Sequence, residues 1–309
     1  MKNSLRILTS WLLLTGLAWA DTNAVARGVA WLASQQRADG SWSENVALNS
    51  LAGLAFYSAG HPPSVAALGK RGYSEQVERG LAFILTQQDA DGAFTTNGAT
   101  MYGHGITTLL LAEATGMTKQ PVRPALEKAV QLILRSQAVE KSDFHAGGWR
   151  YLPGSQDSDL SVTVWQIIAL KAASDVGVPV PRAAMERALA YVKRCAHPQG
   201  GFGYQPGGLP NQSRTAAAIV ALRLCGERPS TRWLEQNPLR WDSPFFYYAA
   251  HYTAHAGGDV RALLEKQNAD GSWPVTEAED AKKGGPIYCT AMAVLALTAE
   301  WNYLPAFLW

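Results

Sequence analysis

Two kinds of helical pattern alternate along the chain. One is amphipathic, with Glu75, Glu78 and Arg79, and later Glu186, Arg187, Lys193 and Arg194, gathered on a charged face. Such a helix is wet on one side. The other kind is apolar nearly all round and rich in alanine: Leu48 to Phe56, Ile106 to Ala112, Val162 to Leu170, Ala216 to Leu222 and Ala291 to Leu297. Helices of that composition are buried on most faces. Loops of glycine, proline and asparagine separate them, and the alternation predicts six helix pairs, at 23–36 and 46–59, 74–88 and 101–116, 123–137 and 159–175, 181–195 and 212–225, 229–236 and 243–256, and 258–268 and 286–300.

A recurring turn joins the members of a pair. Gln36-Arg37-Ala38-Asp39-Gly40-Ser41-Trp42 returns as Gln88 to Phe94 and as Gln267 to Trp273, and its second half returns as Gly147-Gly148-Trp149 and Gly200-Gly201-Phe202. The last glycine turn follows the fourth by 71 residues instead of 52 to 55, which leaves room for a fifth pair whose turn has lost its glycine. One repeated supersecondary unit with half-wet and buried helices predicts an all-α fold, an (α/α)6 toroid of two concentric rings with the second helices inside. Within the turn, glycine accepts the left-handed backbone that ends a helix, Asp before Gly favours the bend, and the aromatic ring fills the gap to the next element. These roles are structural.

Composition narrows the setting. Lys2 and Arg6, an apolar run from Ile7 to Leu17 and Ala18-Trp19-Ala20 have the layout of a secretory signal peptide, so the expectation is a leader at 1–20, a single domain at 21–309, and a periplasmic or extracellular location. Without residues 1–20, basic and acidic residues balance, which argues against nucleic acid as a partner. With 47% hydrophobic residues the chain buries a large core, yet no later stretch is apolar for long enough to span a membrane. Cys195 and Cys225 fall at opposite ends of one predicted hairpin, too far apart for a disulfide, and these two and Cys289 read as buried thiols.

Aligning the inner helices puts Asn49, His104, Thr163, Thr215 and Thr290 in one register, where they form a polar ring at the cavity mouth or act as helix caps. Aromatic and hydrogen-bonding residues crowd the same rim: Tyr102, His104, Trp149, Tyr151, Trp165, Tyr204, Arg214, Tyr248, His251 and Tyr288 are the candidate ligand-binding residues, with Phe202 and Tyr247 beside them. The stretches from Gly147 to Gly154 and from Gly200 to Gly207 are one extended loop used twice. Aromatic platforms with sparse polar groups suit an apolar or carbohydrate-like ligand, or they pack the toroid's end. Trp301, Tyr303, Phe307 and Trp309 are expected to close the seam between pairs six and one.

The Gln-x-x-x-Gly-x-Trp turns resemble those of the squalene–hopene and oxidosqualene cyclases, and residues 21–309 resemble the α/α-toroid superfamily that those enzymes share with protein prenyltransferase β subunits. Small secreted bacterial proteins with prenyltransferase or squalene-oxidase repeats are the most similar. The cyclase resemblance implies an initiating acid in an Asp-x-Asp-Asp run, and Asp157-Ser158-Asp159-Leu160 matches its first and middle acids, with Leu160 in place of the last. The same two aspartates also suit a helix cap. The prenyltransferase resemblance implies zinc near Asp242 and Cys289, but Pro244 stands where a cysteine belongs and Cys289 where a histidine belongs; His251 and His255, four apart on one helix, offer further nitrogen ligands or hydrogen-bonded lining. No metal or cofactor is therefore expected. Leu224-Cys225-Gly226-Glu227-Arg228 is similar to a complement-type thioester site, but Arg228 replaces its essential glutamine. The resulting expectation is an exported toroid that binds an apolar, isoprenoid or other ligand, or a protein partner, at its central cavity. The alternative is an enzyme, a minimal proton-initiated terpenoid cyclase using Asp159 or a polysaccharide-acting (α/α)6 toroid.

Overall fold

A computed structural model describes residues 22–63, 72–95, 97–98, 100–301 and 303–307. The signal peptide expected at 1–20 and Trp309 lie outside the described residues. The helices are α1 (22–34), α2 (Val46–Ser58), α3 (Ser74–Leu85), α4 (Met101–Ala114), α5 (Val122–Ala138), α6 (Leu160–Asp175), α7 (Arg182–Arg194), α8 (Gln212–Leu224), α9 (Arg232–Gln236), α10 (Phe246–His255), α11 (Ala262–Glu265) and α12 (Glu279–Leu297). No strand interrupts them among the described residues. Helix α12 is kinked at Gly285, whose φ of 63° and ψ of −164° separate a short solvent-side turn from the buried inner part. The predicted fifth pair exists, with an outer helix of only five residues.

Helix α2 packs on α4, α4 on α6, α6 on α8, α8 on α10, α10 on α12, and α12 returns to α2. Six inner helices thus form a closed ring. Outer helices α5 and α7 each rest against the two inner helices that flank them in sequence. The all-α toroid predicted from alternating apolar and amphipathic segments is the observed fold.

The repeated turn holds the two rings together by a fixed set of bonds. Glycine takes a left-handed φ of 91° at Gly40 and 95° at Gly271. A Cβ there would also lie 2.5 Å from a carbonyl oxygen of the next outer helix, Arg79 for Gly40 and Arg27 for Gly271, so glycine is required twice over. The indole Nε1 of Trp42, Trp149 and Trp273 donates to the carbonyls of Leu32, Ile133 and Leu263 at 2.7, 2.8 and 2.8 Å, capping the end of the preceding outer helix. The glutamine amide bridges its own turn to the following outer helix: Gln36 Nε2 reaches Gly40 O and Gln76 O, and Gln88 reaches Gly92 O and Ala125 O. The third copy, which shows only its second half in the sequence, has the same bridge. Gln137 makes it from beyond a longer loop, to Gly147 O and Ala184 O, both at 2.9 Å.

The register Asn49, His104, Thr163, Thr215 and Thr290 completes this lock. Each accepts the backbone N–H of its turn aromatic: Trp42 to Asn49 Oδ1 (2.6 Å), Phe94 to His104 Nδ1 (3.2 Å), Trp149 to Thr163 Oγ1 (3.0 Å), Phe202 to Thr215 Oγ1 (3.0 Å) and Trp273 to Thr290 Oγ1 (3.1 Å). All five side chains are buried. They are not a ring at a cavity mouth, and they are not the caps. The caps stand four residues earlier at Asn45, Asp159 and Asn211, each accepting a first-turn amide.

Candidate functional site

The axis of the ring, expected to be an open cavity, is filled. Trp165 from α6 and His251 from α10 stack in parallel with centroids 5.9 Å apart, Tyr252 meets Trp165 edge-on at 5.6 Å, and all three are buried. These large side chains from facing inner helices converge on the axis. A wide recess of about 1060 Å³ does exist, but it lies on the outer wall along α5, between Ala90 and Pro179.

The N-terminal ends of the inner helices, on the turn face, carry the more suggestive arrangement. The extended loops of the third and fourth repeats return to the preceding inner helix by equivalent bonds, with Met101 N donating to Tyr151 O and Leu160 N to Tyr204 O, both at 2.9 Å. These bonds fix two tyrosines over the mouth. Tyr151 stacks on Tyr102 of α4 at 6.1 Å, and the Tyr151 and Tyr204 hydroxyls lie 2.5 Å apart. The Arg150 guanidinium lies over Tyr151 and Tyr204 at 4.6 and 5.3 Å from their centroids, and Arg214 lies over Tyr204 at 5.0 Å. The Tyr248 hydroxyl comes within 3.5 Å of the Ser161 carbonyl on the far side.

Asp159 lies at the bottom of this basin. Its Oδ1 caps α6 by accepting the Val162 amide at 2.9 Å. Its Oδ2 is buried without a hydrogen bond, 3.8 Å from Arg150 Nη1, which is buried and unbonded too. Burial pushes the Asp159 carboxyl up to about 6, while the Val162 amide, the Arg150 charge and the nearby Tyr204 hydroxyl pull it back. Asp157 lies outside, half exposed, with Arg150 Nε 3.4 Å from its carboxylate. Tyr102, Tyr151, Tyr204, Arg214 and Tyr248 of the sequence-predicted set meet at this mouth. Tyr288 is nearly buried and donates to Asp280 at 2.7 Å.

The remaining predicted residues stand elsewhere. His104 has both ring nitrogens engaged by backbone, Phe94 N and Ala129 O, so it has none left for a ligand; burial lowers its pKa to about 4. Trp149 is a turn lock, and Trp165 and His251 fill the axis. Asp242 is exposed and pairs with Arg240 at 3.1 Å, while Cys289 is buried, its thiol pushed up to about 12. Among the described residues no three His, Cys, Asp or Glu side chains gather as a metal site. Cys225 is half-buried rather than fully buried. Arg150, the residue that joins the aromatics to Asp159, was not singled out in the sequence. Its signal was its place between Trp149 and Tyr151 in the duplicated loop.

The family description prenyltransferase alpha-alpha toroid domain matches residues 63–242 and again 150–304. The chain belongs to this toroid family. Among solved structures, a protein from Actinoplanes is 18% identical over 91% of this chain and 99% of that one, with a TM-score of 0.57, a likeness of fold. The type II terpene cyclase MstE from Scytonema is 14% identical, covering 93% of this chain and 98% of that chain at a TM-score of 0.39, and a variant of it in complex with geranylgeranyl dihydroxybenzoate gives the same figures. No curated protein matches. Among the described residues of this toroid, no helix is long and apolar enough to cross a membrane.

Proposed function

We propose that this toroid binds an apolar ligand carrying a hydroxyl group, an isoprenoid alcohol being the type, at the turn-face mouth. The observation that carries the reading is the ion pair of Arg150 Nη1 and Asp159 Oδ2, buried, 3.8 Å apart and without a hydrogen bond at either atom, beneath an aromatic rim. A buried ion pair too long for a hydrogen bond leaves donor and acceptor capacity unused, which is costly. One hydroxyl satisfies both, accepting from the guanidinium and donating to the carboxylate. Exposed Leu152 and Tyr151 on the third-repeat loop and Leu209 on the fourth would receive the apolar part. Native mass spectrometry of the purified protein tests this: a retained apolar alcohol, absent from an Arg150→Gln variant with unchanged circular dichroism, supports the reading. Equal retention by the two proteins counts against it.

A second reading has its own observation. A buried carboxyl held near 6 suits a proton donor at neutral pH, as a minimal terpenoid cyclase needs. Asp159→Asn then abolishes turnover of a polyprenyl substrate; no turnover by the unaltered protein, or unchanged turnover by the variant, rejects the enzyme.

We also propose export through the 1–20 leader, supported by its basic, apolar and small-residue layout. N-terminal sequencing of protein recovered outside the cytoplasm should begin at Asp21.

A further inference from the structure

The end of the inner ring away from the turns holds an arrangement that the mouth does not explain. After a 3-10 turn at Ala299–Trp301 that packs on α10 and α12, a second one at Pro305–Phe307 packs on α4 and α6. The Phe307 ring lies flat on His255 of α10, with centroids 4.0 Å apart and planes 17° apart, and edge-on to His251 at 5.8 Å. Helices α4 and α10 stand opposite each other in a ring of six, so a segment that touches both lies on the axis. The sequence suggested that Tyr303 and Phe307 close a seam between pairs six and one. Tyr303 does pass beside Gly60, at the end of pair one, but Phe307 enters the ring.

Leu304, Ala306 and Phe307 are buried there. A backbone bond from Ala306 N to Glu113 Oε1 on α4, 2.9 Å long, ties the segment down. Glu113 is buried and is the one acidic residue of α4, and a turn amide is an unusual sole reason to keep one. Deeper along the axis, both ring nitrogens of His251 are buried without hydrogen-bond partners. Beside Phe307 and His255 a void of about 10 Å³ remains, room for roughly one water. A carboxyl group and two imidazoles thus meet an apolar segment at the end of the ring, and the segment leaves the His251 nitrogens unsatisfied.

We infer that the 304–307 segment is a displaceable plug in an axial binding chamber, and that the chamber takes a planar aromatic ligand bearing one N–H donor. The occupant shows the chemistry that fits. Its ring stacks on the His255 imidazole, and its amide N–H reaches the Glu113 carboxylate. A ligand that repeats these two contacts and offers a hydrogen bond to His251 holds the chamber better than the segment does. This chamber lies about 20 Å from the mouth, the length of α4 at 1.5 Å per residue, so it stands or falls independently of the ligand proposed there.

Indole is the probe, because it combines a planar ring with one N–H. In the full-length Phe307→Ala protein, titration calorimetry should show one indole bound at least tenfold more tightly than by the unaltered protein, in which the segment competes. N-methylindole, lacking the donor, should bind several-fold more weakly than indole. With saturating indole, hydrogen exchange of the unaltered protein should lose protection at residues 303–307 while α4, α6 and α10 keep theirs. Phe307→Leu takes the place of the alanine variant if that one does not fold. Indole binding that leaves 303–307 protected, equal affinity of the variant and unaltered proteins, or no difference between indole and N-methylindole overturns the proposal.

Discussion

Gln267 Nε2 donates to the carbonyl oxygen of Ala24 at 2.8 Å, and the same nitrogen donates to Gly271 O at 2.9 Å. The sixth turn is thereby fastened to α1 in the way that Gln36 fastens the first turn to α3. Ring closure therefore uses the repeat's own bond. Replacing Gln267 by Leu removes both bonds to these part-buried acceptors and should lower stability by about 1–3 kcal/mol, read as a fall in Tm by calorimetry. Gln88→Leu, which breaks a bridge between neighbouring pairs, should cost a similar amount, because the two bridges are chemically the same.

Glycines with positive φ divide into two kinds, and alanine scanning separates them. Gly147 has φ 89° and its missing Cβ points at the Arg187 carbonyl of α7, whereas Gly177 has φ 78° and open space around it. Gly177→Ala should cost about 1 kcal/mol, the backbone penalty alone. Gly147→Ala should cost clearly more, since α7 must also move. Equal shifts in chemical denaturation would show that the close approach is relieved without cost.

Thr163→Val removes the acceptor for the Trp149 amide with little change of volume. The amide is buried, so a loss of about 1–3 kcal/mol is expected. Thr115 of α4, whose hydroxyl bonds only within its own helix end, serves as the control; Thr115→Val should change stability little.

Glu113 makes stability depend on pH with an unusual sign. Burial raises its pKa from 4.5 to about 7, against the pull of the Ala306 amide and with help from the Asp175 charge. The folded state therefore holds a proton that the unfolded state has released between these values, and stability falls as pH rises from 4.5 to 7. The shift corresponds to about 3 kcal/mol at most. His104 and His255, lowered to about 4 and about 3 by burial, act in the opposite direction, losing stability as pH falls below 6.5. The comparison with Glu113→Gln cancels them. That variant should gain stability over the unaltered protein at pH 8 and lose the advantage at pH 4; a constant difference across this range contradicts the raised carboxyl.

The architecture was legible because its determinants are local and repeated: alanine-rich inner helices, charged outer faces and Gly-x-aromatic turns all point to one closed ring. The Gln137 bridge was not legible, because an insertion hides its spacing to Gly147. The site was legible in part. Tyr102, Arg214 and Tyr248 are placed at the mouth by their positions near inner-helix starts, and Tyr151 and Tyr204 by the duplicated loop that holds them. His104 and His251 were misplaced because a period gives the height of a residue along the axis but not whether its neighbours have already used its nitrogens or filled its space. Arg150 and Glu113 draw their meaning from residues far along the chain, Asp159 with Tyr204 and Ala306 respectively, and no local pattern records such meetings.

Titration of geranylgeraniol, solubilised below its aggregation limit, into the unaltered protein and into Arg150→Gln is the measurement closest to the proposed function. Saturable binding with one site, weakened at least about tenfold by the substitution through loss of a charged hydrogen bond, is the predicted result. No saturable binding, or the same affinity in both proteins, would contradict a ligand site built on Arg150 and Asp159.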